Sequence, residues 1–203
     1  MDETRLLELS GYIVAEGQRK GASAVEVLAK SVNDIDVNIE SGEISGVERR
    51  ASDQIAIRLY VGKRMGSAFT NIPTKKAAEE AIEMALASAK VTTEDVDWVS
   101  LPEPRDYTLI DGLWSDEVAK CEPARVVEIA GDFMSKAIGA EEGLIPAFGG
   151  SGAGVYNLAY SNSNGIAHAE KGGLSYAILG AIAQIEGGVT PMILSYDIKR
   201  GMN

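Results

Sequence analysis

The sequence predicts an α+β fold: a helix-flanked antiparallel sheet N-terminal domain, followed by a helix and an antiparallel β-meander. Three observations predict it. Apolar residues recur at helical spacing near the start and again beyond residue 74. The stretches between alternate with a period of two, and from residue 144 glycines punctuate further period-two runs.

Each element follows in order. Residues 4–20 place Leu6, Leu9, Ile13 and Gly17 on one helical face, with Leu7 and Val14 widening the stripe. Arg19 and Lys20 form a basic last turn before the glycine stop at Gly21. Residues 24–32, "AVEVLAKSV", read as a strand. After Asn33 the chain alternates, Ile35, Val37 and Ile39 against Asp34, Asp36, Asn38 and Glu40, which is a half-buried strand. "ESGE" is its turn, and a further strand runs through Ile44 and Val47. Residues 54–60 alternate again, "VGK" turns the chain, and "RMGSAFT" returns it. Thr74 is the expected N-cap of an Ala-rich helix whose small side chains let it lie close on a sheet.

Residues 92–116 are acidic, carry Pro102 and Pro104 and lack periodicity, so they read as a linker. Residues 117–138 read as a helix, with Pro123 marking a first turn and Val126, Ala130, Phe133 and Met134 among its buried face. Val155, Leu158 and Tyr160 then lead to "SNSNG", whose Asn164-Gly165 is a strong hairpin signal. "IAHAEKG", "LSYAILGAIAQIE" and "VTPMILSYDIKR" continue the meander, which leaves an open sheet edge. The expected division is an N-terminal α+β domain over 1–91, a linker over 92–116 and helix plus meander over 117–203.

Composition excludes several functions. The formal net charge of −11 over 203 residues opposes binding to nucleic acid, which rests on Lys and Arg neutralising phosphates. No run approaches the roughly eighteen unbroken apolar residues of a membrane helix, and the acidic N-terminus is not a signal peptide. Cys121 is the one cysteine, so no intrachain disulfide forms and a reducing, cytoplasmic setting is expected.

Several motifs suggest chemistry and fail on spacing. In "GKRMGS", residues 62–67, Lys63 follows the first glycine, whereas a phosphate loop needs Lys and the hydroxyl after the second. The stretch reads as a hairpin. "FGGSGAGVYN" offers Gly152 and Gly154 to a dinucleotide fingerprint, but Asn157 stands where the third glycine belongs. As a nucleophile elbow, Ser151 follows Gly149 but meets Ala153 in place of the last glycine. Glycines of a twisted or bulged strand explain the run better. His168 and Glu170 share a strand face, yet a catalytic zinc takes about three protein ligands, so His168 reads as a solvated sheet residue. The carboxylate pairs Glu79-Glu80 and Glu141-Glu142 read as solvated faces. No catalytic, cofactor-binding or metal-ligating residue is assigned.

The order of elements is similar to a known family. "ASAVEVLAK", "VNIESGEISGVERRASDQIAIRLYVGKRMGSAFTN", an Ala-rich helix and "TTEDVDWVSLPEP" resemble the N-terminal domain of the TldD/PmbA family. Its members are microbial zinc-dependent peptidases once labelled modulators of DNA gyrase. "VYNLAYSNSNGIAHAEKGGLSYAI" resembles the family's middle region, so the likeness covers essentially the whole chain. Catalytic members carry an H-E-x-x-x-H helix in a C-terminal domain, and no such motif occurs here. Family chains are also about twice as long, which makes this a fragment or a shortened member.

The resemblance is closer to the PmbA (TldE) side, whose subunits lack the zinc motif and pair with a TldD-type partner. It implies a non-catalytic portion of a peptidase complex acting on small or unfolded peptides, as a homodimer or heterodimer. Zinc is expected only in the partner or in a missing C-terminal domain. Two other readings stay open: a fragment of a zinc-bearing TldD-like peptidase, and a stand-alone interaction scaffold.

Overall fold

The computed structural model describes residues 1–108, 110–140 and 143–202. Its elements are α1 (Glu3–Arg19), β1 (Ala24–Glu40), β2 (Glu43–Val61), β3 (Arg64–Thr70), α2 (Lys75–Val91), α3 (Asp116–Ala119), α4 (Pro123–Ala140), β4 (Leu144–Asn162), β5 (Ala167–Ile185), β6 (Gly188–Val189) and β7 (Ile193–Lys199). The α+β class and the antiparallel meander are as the periodicities predict. No helix among the described residues is long and apolar enough to cross a membrane.

Strand lengths differ from expectation. The runs 24–32 and 34–40 form one strand, β1, because the buried parity (Val25, Val27, Ala29, Ile35, Val37, Ile39) is interrupted only at exposed Asn33 and resumes in phase beyond it. The runs around Ile44 and Ile57 likewise form one strand, β2. Ser41 (φ 52°) and Gly42 (φ 76°) turn β1 into β2, a two-residue turn with both residues left-handed. The helix expected over 117–138 divides into α3, capped by Ser115, and α4, opened by Pro123.

Two compact units draw on interleaved segments: residues 1–32, 52–110 and 156–171 in one, residues 33–51, 111–155 and 172–203 in the other. In the first unit the strand order is β3-β2-β1-β4-β5, with α1 and α2 packed on one face. Leu6, Ile13, Val25, Val27, Ile55, Ile57, Leu59 and Ile82 are essentially inaccessible there. Each such side chain contributes about 1.5–3 kcal/mol of transfer free energy. Asp2 caps α1 by accepting from the Arg5 amide at 2.9 Å, and Thr74 caps α2 from Ala77 at 3.3 Å. Inside the core the hydroxyls of Ser10 and Ser161 bond each other at 2.7 Å, so neither buried group is orphaned.

The segment expected as a linker is irregular but anchored. Trp98 stacks on Tyr60 with ring centroids 3.5 Å apart, beside buried Leu101. The SNSNG hairpin forms with Gly165 alone left-handed (φ 98°). Asn164 turns its amide outward to the Leu101 carbonyl (2.7 Å), the Ser100 hydroxyl (3.0 Å) and Glu103 (3.0 Å).

In the second unit the order is β2-β1-β4-β5, with β6 and β7 each pairing antiparallel to β5. Its core joins Ile35, Val37 and Ile39 of β1 to Val118, Cys121, Val126 and Ala130 of the helical segment. Burial pushes the Cys121 thiol above its ordinary value.

Candidate functional site

On the face of the first unit's sheet opposite α1 and α2, the strands line a groove of about 650 Å³. Alternation sends Glu26 and Leu28 of β1, Arg58 of β2, Ser67 and Phe69 of β3 and Tyr160 of β4 into it. Glu26 is its polar centre: it pairs with the Arg58 guanidinium and accepts from the Tyr160 hydroxyl at 2.8 Å. The pairing with Glu26 raises the Arg58 pKa; burial and then the bond to Glu26 push the Tyr160 phenol up. Leu28 and Phe69 leave apolar surface exposed beside this centre. Such a groove can hold an extended chain by side-chain contact. It holds no paired nucleophile and base.

The motifs weighed from sequence fall into place around it. "GKRMGS" is a hairpin turn: Gly62 is left-handed (φ 62°), and Val61 pairs with Arg64 across it. Lys63 directs its ammonium to the Val96 carbonyl at 2.7 Å, while its own carbonyl accepts from the Asp95 amide. The basic residue that suggested phosphate therefore ties down the segment after α2.

His168 is half-buried, its ring edge-on to that of the exposed Tyr107 with centroids 4.4 Å apart. Glu170 accepts from Tyr156 at 3.3 Å. Glu79 is half-buried and accepts from the Tyr12 hydroxyl, which corrects its reading as a solvated carboxylate; Glu80 is exposed. Glu141 and Glu142 lie outside the described residues. Among the described residues no three of His, Cys, Asp and Glu are grouped so as to hold a metal ion.

The glycine run of β4 belongs to the second unit and makes room for neighbouring strands. A Cβ on Gly149 would lie 2.4 Å from the Ile178 carbonyl, and one on Gly150 would lie 2.3 Å from the Val37 carbonyl. At Gly152 it would meet the Tyr176 ring at 2.2 Å, and at Gly154 the Asp34 carboxylate at 2.3 Å. Ser151 is buried and donates to the Val126 carbonyl at 2.9 Å, so it fixes α4 to the sheet and is no nucleophile. Beside it is a cavity of about 150 Å³ lined by Val126, Ser151, Gly152 and Tyr176.

Tyr176 donates to Asp36 Oδ1 at 2.8 Å, while Arg50 holds Asp36 Oδ2 at 2.6 Å. Burial and the bond to Asp36 push the Tyr176 phenol up from 10 to about 12. The unfolded chain releases this proton first, so the linkage favours folding at and below pH 10 and is lost as pH rises toward 12. Absorbance titration at 295 nm is expected to show Tyr176 ionising at the high-pH end of the tyrosine transition. Tyr176→Phe removes that late step, and a titration unchanged by the substitution refutes the assignment.

Sequence reasoning missed the Glu26–Arg58–Tyr160 centre. Alternation places each residue on the polar parity of its own strand, but their meeting depends on cross-strand register, which no local pattern encodes.

Comparison with known proteins identifies the frame. Residues 25–89 match the family model described as PmbA/TldA metallopeptidase domain 1. A curated Haemophilus influenzae protein, "Metalloprotease PmbA homolog", is 29% identical over 186 residues, covering 89% of this chain and 41% of its own length. The crystal structure of TldE from Thermococcus kodakarensis superposes with a TM-score of 0.89 at 28% identity, covering 96% of this chain and 44% of that one. A Bacteroides thetaiotaomicron structure described as a modulator of DNA gyrase shares the fold, with a TM-score of 0.84 at 21% identity, covering 96% of this chain and 45% of its own. This chain thus spans less than half the length of these relatives. The chain thus carries a match to PmbA/TldA metallopeptidase domain 1 over residues 25–89 and is similar along most of its length to PmbA and TldE.

Proposed function

We propose that this chain supplies the N-terminal and middle parts of a PmbA-like subunit in a TldD/PmbA-type metallopeptidase complex that acts on small or unfolded peptides. The superposition on TldE over 96% of the chain is the observation that carries the reading. The donors at hand do not fit a catalytic zinc, which takes about three protein ligands and an open position. His168 is against Tyr107, Glu170 is engaged by Tyr156, and Cys121 belongs to the other unit's core. In this reading zinc is held by a TldD-like partner, or by a C-terminal domain beyond this chain, within a cytoplasmic dimer.

What this chain adds is binding and orientation. The groove around Glu26 offers apolar contact to side chains. The strand β7, paired among the described residues with β5, presents Ile193, Leu194, Tyr196 and Ile198 along an exposed edge where an extended peptide can add a strand.

Co-expression with a subunit bearing H-E-x-x-x-H tests the reading. The expected result is a co-purifying complex that contains zinc and cleaves casein or short peptides, while this chain alone does neither. Within the complex, Arg58→Ala raises KM with kcat little changed, since the groove binds without touching the reacting bond. A complex that fails to form or to cleave defeats the proposal. An H-E-x-x-x-H motif encoded downstream of this chain would instead support the TldD-like reading.

A further inference from the structure

The groove of the first unit has one closed end. On its face the even positions of β2 run Ala56, Arg58, Tyr60, and those of β1 run Leu28, Glu26, Ala24. Beyond Arg58 and Glu26 the face is covered: Trp98 stacks on Tyr60, and Leu101 packs with Ala24 and Tyr60. In the other direction Leu28 and Phe69 leave apolar surface open. A chain laid along β2 therefore enters over Phe69 and Leu28 and meets a wall directly past Arg58.

Arg58 stands at that wall with its outer edge unused. Glu26 is engaged from within, one oxygen on Arg58 Nε and the other on the Tyr160 hydroxyl. Its side chain is 12% exposed, whereas that of Arg58 is 51% exposed. The bond at Nε holds the guanidinium from behind, and Nη1 and Nη2 carry no hydrogen bond among the described residues. These are the two nitrogens that grip a carboxylate end-on, by two parallel bonds. Ser67 lies directly opposite Arg58 in the register of β2 with β3, and its hydroxyl is likewise without a hydrogen bond among the described residues. Phe69 follows on the same face of β3, opposite Ala56. Cation and hydroxyl are thus side by side, with apolar surface on the approach. Lys30 follows Leu28 on the same parity of β1 and has no ion pair among the described residues, so this face of a chain of net charge −11 carries a second available cation.

We propose that Arg58 and Ser67 anchor the α-carboxylate of a peptide, so that the groove takes the C-terminal end of the bound chain, with an apolar last side chain against Phe69 and Leu28. This rests on the reading of the groove as a peptide site and names what that site selects. The wall separates a terminal carboxylate from one on a side chain. An aspartate or glutamate within a peptide has chain on both sides of it, and the part beyond would run into Trp98. A terminal residue has no such part. Its carboxylate and its side chain also branch from one Cα, which suits a cation and an apolar surface placed next to each other. Glu26 acts by position: with Tyr160 on its far oxygen, it aims Arg58 from behind.

The test is fluorescence anisotropy of a short peptide, labelled at its amino end and ending in leucine, titrated with the 203-residue chain. The same peptide with an amidated C-terminus is expected to bind about tenfold or more weakly, through loss of the charge-assisted pair. Arg58→Lys keeps a charge beside Glu26 but lacks the fork. It is expected to bring the free acid down to the level of the amide and to leave the amide unchanged. Ser67→Ala, at an exposed position, is expected to weaken the acid by about threefold and the amide not at all. If Arg58→Lys fails to fold, the amide and Ser67→Ala still decide it. Equal binding of acid and amide, or binding of neither, overturns the proposal. So does an amidated peptide with an internal glutamate that binds as tightly as the free acid. Failure of the complex to assemble or cleave defeats the subunit reading instead, because acid and amide are compared on this chain whether or not a complex forms.

Discussion

Gly66→Ala is expected to cost about 3 kcal/mol of stability or more, at the upper end for overpacking a buried contact. The added Cβ would fall 2.0 Å from the Ala85 carbonyl oxygen and 2.7 Å from the Ala89 amide nitrogen. Both atoms belong to the backbone of α2, within its hydrogen-bond ladder, so neither can rotate aside. Relief comes only if α2 lifts from β3. The lift also disturbs Ala78, Ile82, Ala85 and Ala89, all buried in the first unit's core. Gly11→Ala is the control. It sits within α1 with nothing inside 4 Å of the added carbon, and removing a helical glycine there stabilises by about 0.5–1 kcal/mol. Urea denaturation of the pair is expected to move the midpoint in opposite directions. A Gly66→Ala midpoint within error of wild type would show that α2 does not rest on this strand.

The second large effect separates two glycines of one strand. At Gly150 the obstacle is the Val37 carbonyl, at 2.3 Å, part of the neighbouring strand's backbone. At Gly154 it is the end of the Asp34 side chain, also at 2.3 Å. The distances match, but the obstacles do not. A carboxylate can rotate once it gives up its own contacts, whereas a strand carbonyl moves only with its ladder. Gly150→Ala is therefore expected to lose about 2–3 kcal/mol and Gly154→Ala less than that. Equal losses at the two sites would refute the distinction.

These glycines show how far the sequence could be read. Their number and strand setting indicated close approach of backbones, and the failed motif spacings kept them out of nucleotide and hydrolase chemistry. What each glycine accommodates is set by β1 and β5, strands far away in the chain, and local pattern is silent on that. The same division holds elsewhere. The length of β1 was obscured by one residue, Asn33, although the odd positions from Val25 to Ile39 stay buried on either side of it. Thr74 was legible as a cap because capping is a contact over three residues. His168 was read as solvated because its neighbour, Tyr107, lies in a segment with no period to place it. The polar centre of the groove depends on three strands meeting, so it could be recognised only after folding. The family resemblance was legible for a different reason: it rests on strings of residues and needs no geometry.

The interleaving of the two compact units bears on the order in which the chain can become structured. The first unit's core contains Ala159, and Ser10 has its hydroxyl partner in Ser161. Both arrive with the β4–β5 hairpin, long after α2 has left the ribosome. Until then β1 lacks its neighbour, and the Ser10 hydroxyl has only the Leu7 carbonyl of its own helix as a partner. The closing contact joins residues 151 positions apart, so it carries a large loop-closure entropy and is made late. A nascent chain paused before this hairpin would display apolar sheet surface to solvent, the state that holdase chaperones recognise.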